Sequence, residues 1–223
     1  MRCLIVGANS SIAPEIIKIF KKNNYDVISA SRKISDNDTK TLSYSLNTDG
    51  DLKITDSVIL EKLDVVVFCI GKLIGKSIQD YTITEMEETF GVNILTVSKF
   101  IKYLISKLNS NSSVVFISSI SASAGSYDEI YSASKSALYG LTKSLAKNSK
   151  NGIRYNCISP GLIKNSRMYD NFDNNEIQAH ISQTPTKNLI NSKEFAEIIY
   201  DICQPHWRSL NGQIIDINGG RYV

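Results

Sequence analysis

The chain has 223 residues, 42% of them hydrophobic, so it can bury one substantial core, and we predict a single domain over residues 1–223. Its 25 basic and 22 acidic residues give a net charge of only +3. This near balance provides no strongly basic surface for nucleic acid or for a membrane, and we expect neither as a partner.

The four cysteines are expected at buried apolar positions rather than in disulfides or metal sites. Cys3, Cys69 and Cys157 lie in or beside apolar β-like runs, Cys203 ends a helical stretch, and no pair has C-x-x-C spacing. The two histidines are not clustered, so we expect no metal site. The first strand begins at residue 2 and no apolar run approaches ~18 residues. We therefore expect no signal peptide, no transmembrane helix and a cytoplasmic protein.

Strand-like apolar runs alternate with amphipathic helical stretches along the chain. In chain order, the predicted strands cover residues 2–6, 27–30, 41–46 (a weak strand), 64–70, 114–117, 153–158 and 213–217. The predicted helices cover residues 12–20, 84–108, 129–148 and 192–203. Residues 64–70 are apolar on both faces, which is typical of a parallel sheet covered by helices. The alternation predicts an α/β fold with a Rossmann-like, doubly wound parallel β-sheet flanked by helices.

The first turn between strand and helix consists mostly of small residues, in the sequence Gly7-Ala8-Asn9-Ser10-Ser11-Ile12-Ala13. In a doubly wound sheet, a dinucleotide pyrophosphate meets a helix N-terminus at this turn. Small residues let backbone amides approach, and the helix dipole favours negative charge. Gly7 is the only glycine in this turn. An ordinary tight turn is therefore the alternative to a dinucleotide-binding turn.

The second strand ends in Ser31, Arg32 and Lys33, without an acidic residue. An acidic side chain at this place usually binds the ribose of NAD, whereas an arginine accommodates the 2′-phosphate of NADP. The two cations therefore favour NADP(H) over NAD(H). A solvated basic turn is the alternative.

Tyr131 and Lys135 lie one turn apart on the predicted helix 129–148, so their side chains share a helix face. A nearby positive charge favours the phenolate, so we predict that Lys135 lowers the pKa of Tyr131 toward the operating pH of a proton donor. Ser119, at the end of the preceding strand, would hold the substrate oxygen that receives the proton. Spacing alone does not single out this pair, because the chain contains three: Tyr103/Lys107, Tyr131/Lys135 and Tyr139/Lys143.

A series of motifs resembles, in the same order, those of the short-chain dehydrogenase/reductase family over nearly the whole chain. The turn at residues 7–13 resembles T-G-x-x-x-G-x-G, and Cys69-Ile70-Gly71 resembles the end of N-N-A-G. The other matches are Asn93, Ile117-Ser118-Ser119, Tyr131-Ser132-Ala133-Ser134-Lys135 as Y-x-A-S-K, Asn156 to Gly161, and Asn211-Gly212-Gln213 with residues 216–220. Each motif is common by itself, but the full series on the expected elements is specific.

The resemblance implies a catalytic set of Asn93, Ser119, Tyr131 and Lys135. Tyr131 would donate or accept the proton, and Ser119 would orient and polarise the carbonyl. Lys135 would also hold the nicotinamide ribose, and Asn93 would support a water in the proton path. Bridging of backbone groups at a helix distortion is the alternative role for Asn93. Ser119 precedes Tyr131 by twelve residues, one fewer than is common in the family, which makes Ser118 the weaker candidate.

The resemblance also implies the residues that bind the cofactor. They are Gly7, Asn9, Ser10, Ser11, Ile12, Ser31, Arg32, Asn47, Gly71, Tyr131, Lys135, Pro160, Gly161, Ile163 and Asn165. Ser11 and Ala13 add bulk where the family has glycine, which would weaken cofactor binding or displace the turn. Asn165 replaces a threonine that contacts the carboxamide, a contact that Ser166 can also make. Asn47 replaces the usual aspartate on the adenine side.

Residues 164–191 correspond to the segment that covers the substrate in this family. The segment is polar, with Arg167, Tyr169, His180 and Gln183 among its side chains. A hydrophobic ligand prefers an apolar pocket, so we predict a polar substrate, although plain solvent exposure explains the same composition.

The family also implies a homodimer or homotetramer that uses the helices near residues 90–108 and 138–145. Ordinary core packing accounts for the same apolar stripes.

We therefore predict an NADP(H)-dependent oxidoreductase, either a carbonyl reductase or an alcohol dehydrogenase. It would transfer a hydride between the nicotinamide and a carbonyl or hydroxyl carbon of a small, polar substrate. A non-catalytic dinucleotide sensor or assembly partner is the alternative, and the altered glycine turn is its best support. A third possibility is a nucleotide-sugar epimerase or dehydratase, but those relatives are usually longer and have a differently spaced glycine turn.

Overall fold

The computed structural model describes residues 1–32, 41–46, 51–55 and 60–222, which contain eight strands and seven α-helices. The strands are β1 (Arg2–Val6), β2 (Asp26–Ser31), β3 (Thr41–Leu46), β4 (Leu52–Thr55), β5 (Leu63–Phe68), β6 (Leu108–Ile117), β7 (Arg154–Pro160) and β8 (Ile214–Ile217). The helices are α1 (Ala13–Lys22), α2 (Ile83–Phe90), α3 (Thr96–Leu104), α4 (Ser121–Ala124), α5 (Glu129–Lys147), α6 (Asn174–Gln183) and α7 (Ser192–Ile202).

All eight strands belong to one sheet, in the order β4-β3-β2-β1-β5-β6-β7-β8. Neighbouring strands are parallel except for β3 and β4. The chain winds outward from β1 to β3 on one side of the sheet and from β5 to β8 on the other, so its direction reverses between β1 and β5. In an open α/β sheet, ligands bind outside the carboxyl ends of the strands at such a switch point.

Helices cover both faces of the sheet, and alternate residues of each strand contribute to two separate cores. In β1, Leu4 and Val6 belong to the core under α3 and α5, whereas Cys3 and Ile5 belong to the core under α1 and α7. All four side chains are fully buried. A strand that is apolar on both faces is what a doubly wound sheet requires, and the predicted fold class is confirmed.

The predicted helix 84–108 is divided into several parts. After α2 the backbone passes through a π-helical stretch, Gly91–Leu95, before it continues as α3 and ends in a 3₁₀ turn, Ile105–Lys107. The Thr96 hydroxyl donates to the Gly91 carbonyl at 2.8 Å, which satisfies an acceptor where the helix is distorted. The prediction that the helix extends to Leu108 is wrong, since Leu108 has extended backbone angles and opens β6.

Three elements are absent from the predictions: β4, α4 and α6. β4 pairs antiparallel with β3 at the edge of the sheet and is too short to show a clear apolar pattern. α6 lies in the polar segment and has few apolar residues, but a capping box fixes its start. The Asp173 carboxylate accepts the Glu176 N–H, and the Glu176 carboxylate accepts the Asp173 N–H, each at 2.8 Å.

All four cysteines are buried and free, as predicted. Burial raises the pKa of the Cys157 thiol to about 12, so it stays protonated and packs as a small apolar side chain. Within the described ranges, no helix is both long and apolar enough to cross a membrane.

Candidate active site

Gly7 brings the end of β1 against the end of β5. Its φ is +89°, and a Cβ atom here would lie 2.9 Å from the carbonyl carbon of Cys69 and from the backbone nitrogen of Ile70. Only glycine meets both conditions without strain. The Gly7 and Ala8 N–H groups donate to the Ala30 carbonyl at 2.8 and 3.1 Å, which holds the turn against β2. The turn therefore lies directly at the switch point.

The start of α1 presents one weakly bonded backbone donor at this turn. Ile12 is the N-cap, and no side chain caps the helix. The Ile12 N–H has a long contact of 3.5 Å with the Ser10 hydroxyl. Ser10, Ser11 and Ile12 all line the cavity at the strand ends. Such a helix start binds anions, so these residues fit the pyrophosphate of a dinucleotide.

A buried aspartate fixes the start of α5, the helix that carries Tyr131 and Lys135. The Asp128 carboxylate caps the helix by accepting the Tyr131 N–H at 2.8 Å. It also accepts the Gly75 N–H and the Tyr81 hydroxyl at 2.8 Å. Sequence reasoning missed this residue, although an aspartate directly before a helix is the usual N-cap signal.

The Lys135 ammonium group lies between the ends of β5 and β6. Nζ donates to the Ile117 carbonyl at 2.8 Å and to the Ile70 carbonyl at 3.2 Å. The side chain is buried, and burial lowers its pKa to about 8. An ammonium has three donors, so one is left for a ligand. A Cβ atom at Gly71 would lie 3.3 Å from Nζ, and the glycine therefore keeps this space open.

Burial raises the pKa of the Tyr131 phenol to about 12. The Ser119 hydroxyl lies close enough to lower this pKa through a side-chain hydrogen bond, and the charge of Asp128 raises it. The predicted lowering by Lys135 is not among the causes of this shift, and the Lys135 ammonium donates to the two strand carbonyls. At neutral pH the phenol keeps its proton.

Ser119, rather than Ser118, places its hydroxyl beside the phenol. The Ser118 hydroxyl donates to the Lys135 carbonyl at 2.9 Å, so its proton is already engaged in a hydrogen bond within the protein. The Ser119 hydroxyl accepts the Ser121 N–H at 3.1 Å and donates to the Ser121 hydroxyl at 3.2 Å, and the Ser119 carbonyl accepts the Tyr139 hydroxyl at 3.3 Å. These contacts fix Ser119 at the end of β6.

Asn93 is fully buried in the π-helical stretch and bridges backbone groups. Its Oδ1 accepts the Lys72 N–H at 2.7 Å, and its Nδ2 donates to the Lys72 carbonyl at 2.9 Å. Nδ2 also donates to the Ser134 hydroxyl, which in turn donates to the Tyr131 carbonyl at 2.7 Å. The side chain therefore bridges backbone groups, with both of its N–H groups used inside the protein, and the role of Asn93 in supporting a water stays a prediction.

Two cavities adjoin at the carboxyl ends of the strands, and most of the predicted site residues line them. The cavity of about 450 Å³ is lined by Ser10, Ser11, Ile12, Arg32, Gly71, Ser119, Tyr131, Lys135, Pro160, Gly161 and Ile163. The cavity of about 730 Å³ is lined by Gly7, Asn9, Ser10, Ser31, Arg32 and Gly71. Because they share lining residues, the two cavities form one cleft, which is called the cofactor cleft below.

The comparison with protein families shows which family the chain belongs to. A family model described as Enoyl-(Acyl carrier protein) reductase matches residues 7–221. The chain belongs to the short-chain dehydrogenase/reductase family. It is therefore an NAD(P)-dependent oxidoreductase with a Rossmann-like fold.

Individual relatives of this short-chain dehydrogenase/reductase agree with the family match. The 3-oxoacyl-(acyl-carrier-protein) reductase FabG of Buchnera aphidicola subsp. Schizaphis graminum (strain Sg) is 29% identical, over 99% of this chain and 96% of the relative. Glucose and ribitol dehydrogenase homolog 2 of Arabidopsis thaliana is 30% identical, over 73% of this chain and 57% of the relative. A short-chain dehydrogenase/reductase from Brucella melitensis, described as a glucose/ribitol dehydrogenase, shares the fold. The TM-score is 0.87 at 22% identity, over 100% of this chain and 96% of that structure.

One cofactor residue expected in this short-chain dehydrogenase/reductase lies away from the cofactor cleft. Asn165 is exposed and lines a neighbouring cavity of about 1020 Å³, together with Lys164 and Tyr169, but neither cavity of the cofactor cleft. The next residue, Ser166, is buried and lines the cofactor cleft. Ser166, the alternative named from the sequence, is therefore the better placed of the two. Asn47 lies outside the described residues.

The other two Tyr-x-x-x-Lys pairs lie outside the cleft of the enzyme. Tyr103 is at the surface, with Lys107 Nζ 4.7 Å from the centre of its ring. The Tyr139 hydroxyl contacts the Ser159 hydroxyl at 2.5 Å, and Lys143 is exposed. Among the described residues, Tyr131 and Lys135 are thus the pair of this spacing that lines the cavity at the strand ends.

Proposed function

We propose that this protein is an NADP(H)-dependent carbonyl reductase or alcohol dehydrogenase that acts on a small, polar substrate. The observation that carries the proposal is the convergence of Ser119, Tyr131 and Lys135 on one cavity beside the dinucleotide turn. The residues of the cofactor cleft fit a dinucleotide, with the start of α1 at the pyrophosphate and Gly7 allowing close approach. When bound, the dinucleotide supplies or accepts the hydride.

In the proposed reduction, Tyr131 is the proton donor. Its raised pKa keeps the phenol protonated at neutral pH, so the proton is present when the substrate oxygen needs it. The oxygen gains negative charge during the reaction and becomes a stronger base than a phenolate, so it takes the proton. In the reverse reaction Tyr131 would accept the proton from the alcohol.

Ser119 and Lys135 position and polarise the reactants. Ser119 would donate a hydrogen bond to the carbonyl oxygen and so stabilise the charge that develops on it. Lys135 has one donor left and would use it to hold a ribose hydroxyl of the cofactor. Because strand carbonyls fix its other two donors, this donor is pre-oriented.

The preference for NADP(H) rests on the end of β2. Arg32 is exposed, lines the cofactor cleft and has no hydrogen-bond or ion-pair partner among the described residues. Ser31 precedes it where an acidic residue would bind a free ribose hydroxyl. A free guanidinium suits a 2′-phosphate, which the planar fork of arginine can bind through two hydrogen bonds.

We further propose that residues 164–191 form the segment over the substrate. Its two ends meet, because the Lys164 N–H donates to the Ile190 carbonyl at 2.8 Å and Lys164 forms a β-bridge with Asn191. Arg221, near the C-terminus, donates to Gln183 at 2.5 Å and contacts His180, which fixes α6. The segment itself consists mostly of polar residues, which favours a polar substrate.

The names of two relatives agree with a carbonyl or hydroxyl group as the reacting centre. One is named a 3-oxoacyl reductase and another a homolog of a glucose and ribitol dehydrogenase.

We also propose a homodimer or homotetramer. Its support is the apolar surface of Ile83, Leu95, Tyr103 and Ile105 on and beside α2 and α3, where large side chains are exposed.

Replacement of Tyr131 by phenylalanine tests the proposal. The variant should lose turnover by a factor of ~10²–10⁴ on any ketone or keto-sugar that the wild-type protein reduces, because the general acid is lost. NADPH consumption at 340 nm measures turnover, and a fluorescence titration should show unchanged NADPH binding. Tyr103→Phe is the matched control, since Tyr103 belongs to a surface pair of the same spacing, and it should be fully active.

Two results would contradict this assignment. Unchanged turnover in Tyr131→Phe would remove the phenol from the reaction. A wild-type protein that binds NADPH but consumes none with any compound of a broad carbonyl panel would favour the dinucleotide sensor instead.

A further inference from the structure

Ser11 links the dinucleotide turn to the segment over the substrate. Its hydroxyl accepts the backbone N–H of Arg167 at 3.0 Å, although the two residues are 156 positions apart in the chain. Glycine, which the family prefers at this position of the turn, has no hydroxyl to make this bond. The departure from the family motif therefore has a structural consequence: it fixes the backbone of residue 167 beside the turn.

The backbone of Arg167 is held by a hydrogen bond, whereas its side chain has no partner among the described residues. Next to it, the Ser166 hydroxyl accepts the Tyr169 N–H at 3.2 Å, and the Ser166 carbonyl accepts the Asp170 N–H at 3.0 Å. The guanidinium of Arg167 is exposed and has no hydrogen-bond or ion-pair partner in the part of the chain that the structure describes. Arg167 lines both cavities of the cofactor cleft.

The charges around the cofactor cleft leave two guanidinium groups unneutralised. The cavity around Tyr131 has no acidic lining residue among the described residues. The larger cavity has Glu88, whose carboxylate pairs with Lys72. Lys72 is thereby neutralised, while Arg32 at the end of β2 and Arg167 beside the dinucleotide turn remain free.

We propose that Arg167 binds the pyrophosphate of the dinucleotide, so that the segment over the substrate contacts the cofactor through this arginine. The proposal rests on the proposed function, because it needs a dinucleotide in the cofactor cleft. Arg32 and Arg167 divide the phosphate groups between them: Arg32, at the end of β2, takes the 2′-phosphate, and Arg167, held at Ser11, takes the pyrophosphate. Arginine binds such oxygens through two parallel hydrogen bonds.

This division predicts different selectivity for the two arginines. NADPH and NADH share the pyrophosphate, so loss of Arg167 should weaken both to the same extent. Only NADPH has the 2′-phosphate, so loss of Arg32 should weaken NADPH far more than NADH. Hydrogen bonds to charged groups of this kind correspond to a roughly 10- to 100-fold change in Kd.

The experiment is a fluorescence or calorimetric titration of the full chain with NADPH and with NADH, without substrate. Arg167→Ala should raise both Kd values roughly 10- to 100-fold, and Arg32→Ala should raise mainly the Kd of NADPH. Arg208→Ala, at an exposed arginine outside the cleft, is the control for loss of one positive charge. Thermal unfolding without ligand verifies that each variant is folded.

Ser11→Gly tests the link between the two segments. If Ser11 acts by holding Arg167, the variant should bind both dinucleotides more weakly than the wild-type protein. The double variant Ser11→Gly, Arg167→Ala should then bind no more weakly than Arg167→Ala alone. Additive losses would mean that Ser11 acts independently of Arg167 and would overturn this part of the proposal.

Other outcomes overturn the assignment of Arg167. Wild-type affinity of Arg167→Ala for both dinucleotides, or weaker binding of NADPH alone, would show that Arg167 does not bind the pyrophosphate. Unchanged dinucleotide affinity with a raised KM for the carbonyl compound would assign Arg167 to the substrate. A wild-type protein that binds neither dinucleotide would overturn both this inference and the proposed function, whereas the preceding results leave the proposed function intact.

Discussion

The buried Asp128 carboxylate accepts the backbone N–H of Tyr131 at 2.8 Å, and the charge of this residue, which caps α5, also raises the pKa of the Tyr131 phenol. The same carboxylate holds Gly75 and Tyr81. One side chain therefore fixes the start of the helix, anchors the loop after β5 and contributes to the raised pKa of Tyr131. These effects can be separated by substitution.

Asp128→Asn should lower the pKa of Tyr131. An asparagine oxygen can still accept the Tyr131 N–H, but the negative charge that raises the pKa is gone. The phenol then loses its proton at a lower pH, and the alkaline limb of the reduction rate should move to lower pH. The Gly75 N–H also loses a carboxylate acceptor, which should cost about 1–3 kcal/mol in the free energy of unfolding. A pH profile of kcat and a urea titration measure the two effects.

Tyr81→Phe is the matched control for this prediction. It removes the hydrogen bonds from the Tyr81 hydroxyl but keeps the charge of Asp128. The free energy of unfolding of the variant should fall by about 1 kcal/mol, and its pH profile of kcat should be that of the wild-type protein. If Asp128→Asn also has the wild-type pH profile, the charge of Asp128 does not act on Tyr131.

Local patterns in the sequence were sufficient to predict most of the fold and much of the cleft. Apolar runs in β1 and β5 indicated strands buried on both faces, and small residues after β1 indicated a turn at a dinucleotide. The positions of Tyr131 and Lys135 follow from helical periodicity, because i and i+4 share a face. The position of Ser119 at the cleft could be predicted because it lies at the end of a strand that runs parallel to its neighbours.

Contacts between distant segments could not be predicted in this way. The sequence places Lys135 near Tyr131, but the ammonium binds carbonyls at the ends of β5 and β6, and the position of those carbonyls depends on the sheet register. The pairing of Ser11 with Arg167 likewise depends on how the segment 164–191 returns to the first turn. Burial, which dominates the pKa of Tyr131, is also a property of the assembled fold.

The lowered pKa of Lys135 predicts a pH-dependent contribution to stability. Below pH 8 the amine is charged in both the folded and the unfolded state, and the folded state bears the cost of burying the charge. Between about pH 8 and the ordinary value of 10.5, the folded protein releases the proton first, so the free energy of unfolding rises with pH. At about 1.36 kcal/mol per pKa unit, the full gain is about 3 kcal/mol.

Lys135→Met removes this titration and should remove the rise. Urea unfolding of both proteins at pH 7.5 and pH 10 measures the difference in their free energies of unfolding. The free energy of unfolding of the wild-type protein, relative to that of the variant, should be about 2–3 kcal/mol higher at pH 10 than at pH 7.5. Lys143→Met, at an exposed lysine of the same helix, should show no such shift. An equal difference at both pH values would mean that the pKa of Lys135 is not lowered in the folded protein.

Gly7→Ala should destabilise the protein and weaken dinucleotide binding, because the new Cβ would lie 2.9 Å from the backbone at Cys69 and Ile70. Gly125→Ala separates this clash from backbone strain: Gly125 has a φ of +78°, but a Cβ there meets nothing within 4 Å. Both variants should lose about 1–3 kcal/mol through strain at positive φ. Only Gly7→Ala must also push the ends of β1 and β5 apart, so it should unfold at a lower urea concentration and bind NADPH more weakly. Equal unfolding midpoints and equal NADPH affinity in the two variants would show that the ends of these strands do not approach as closely as the structure has them.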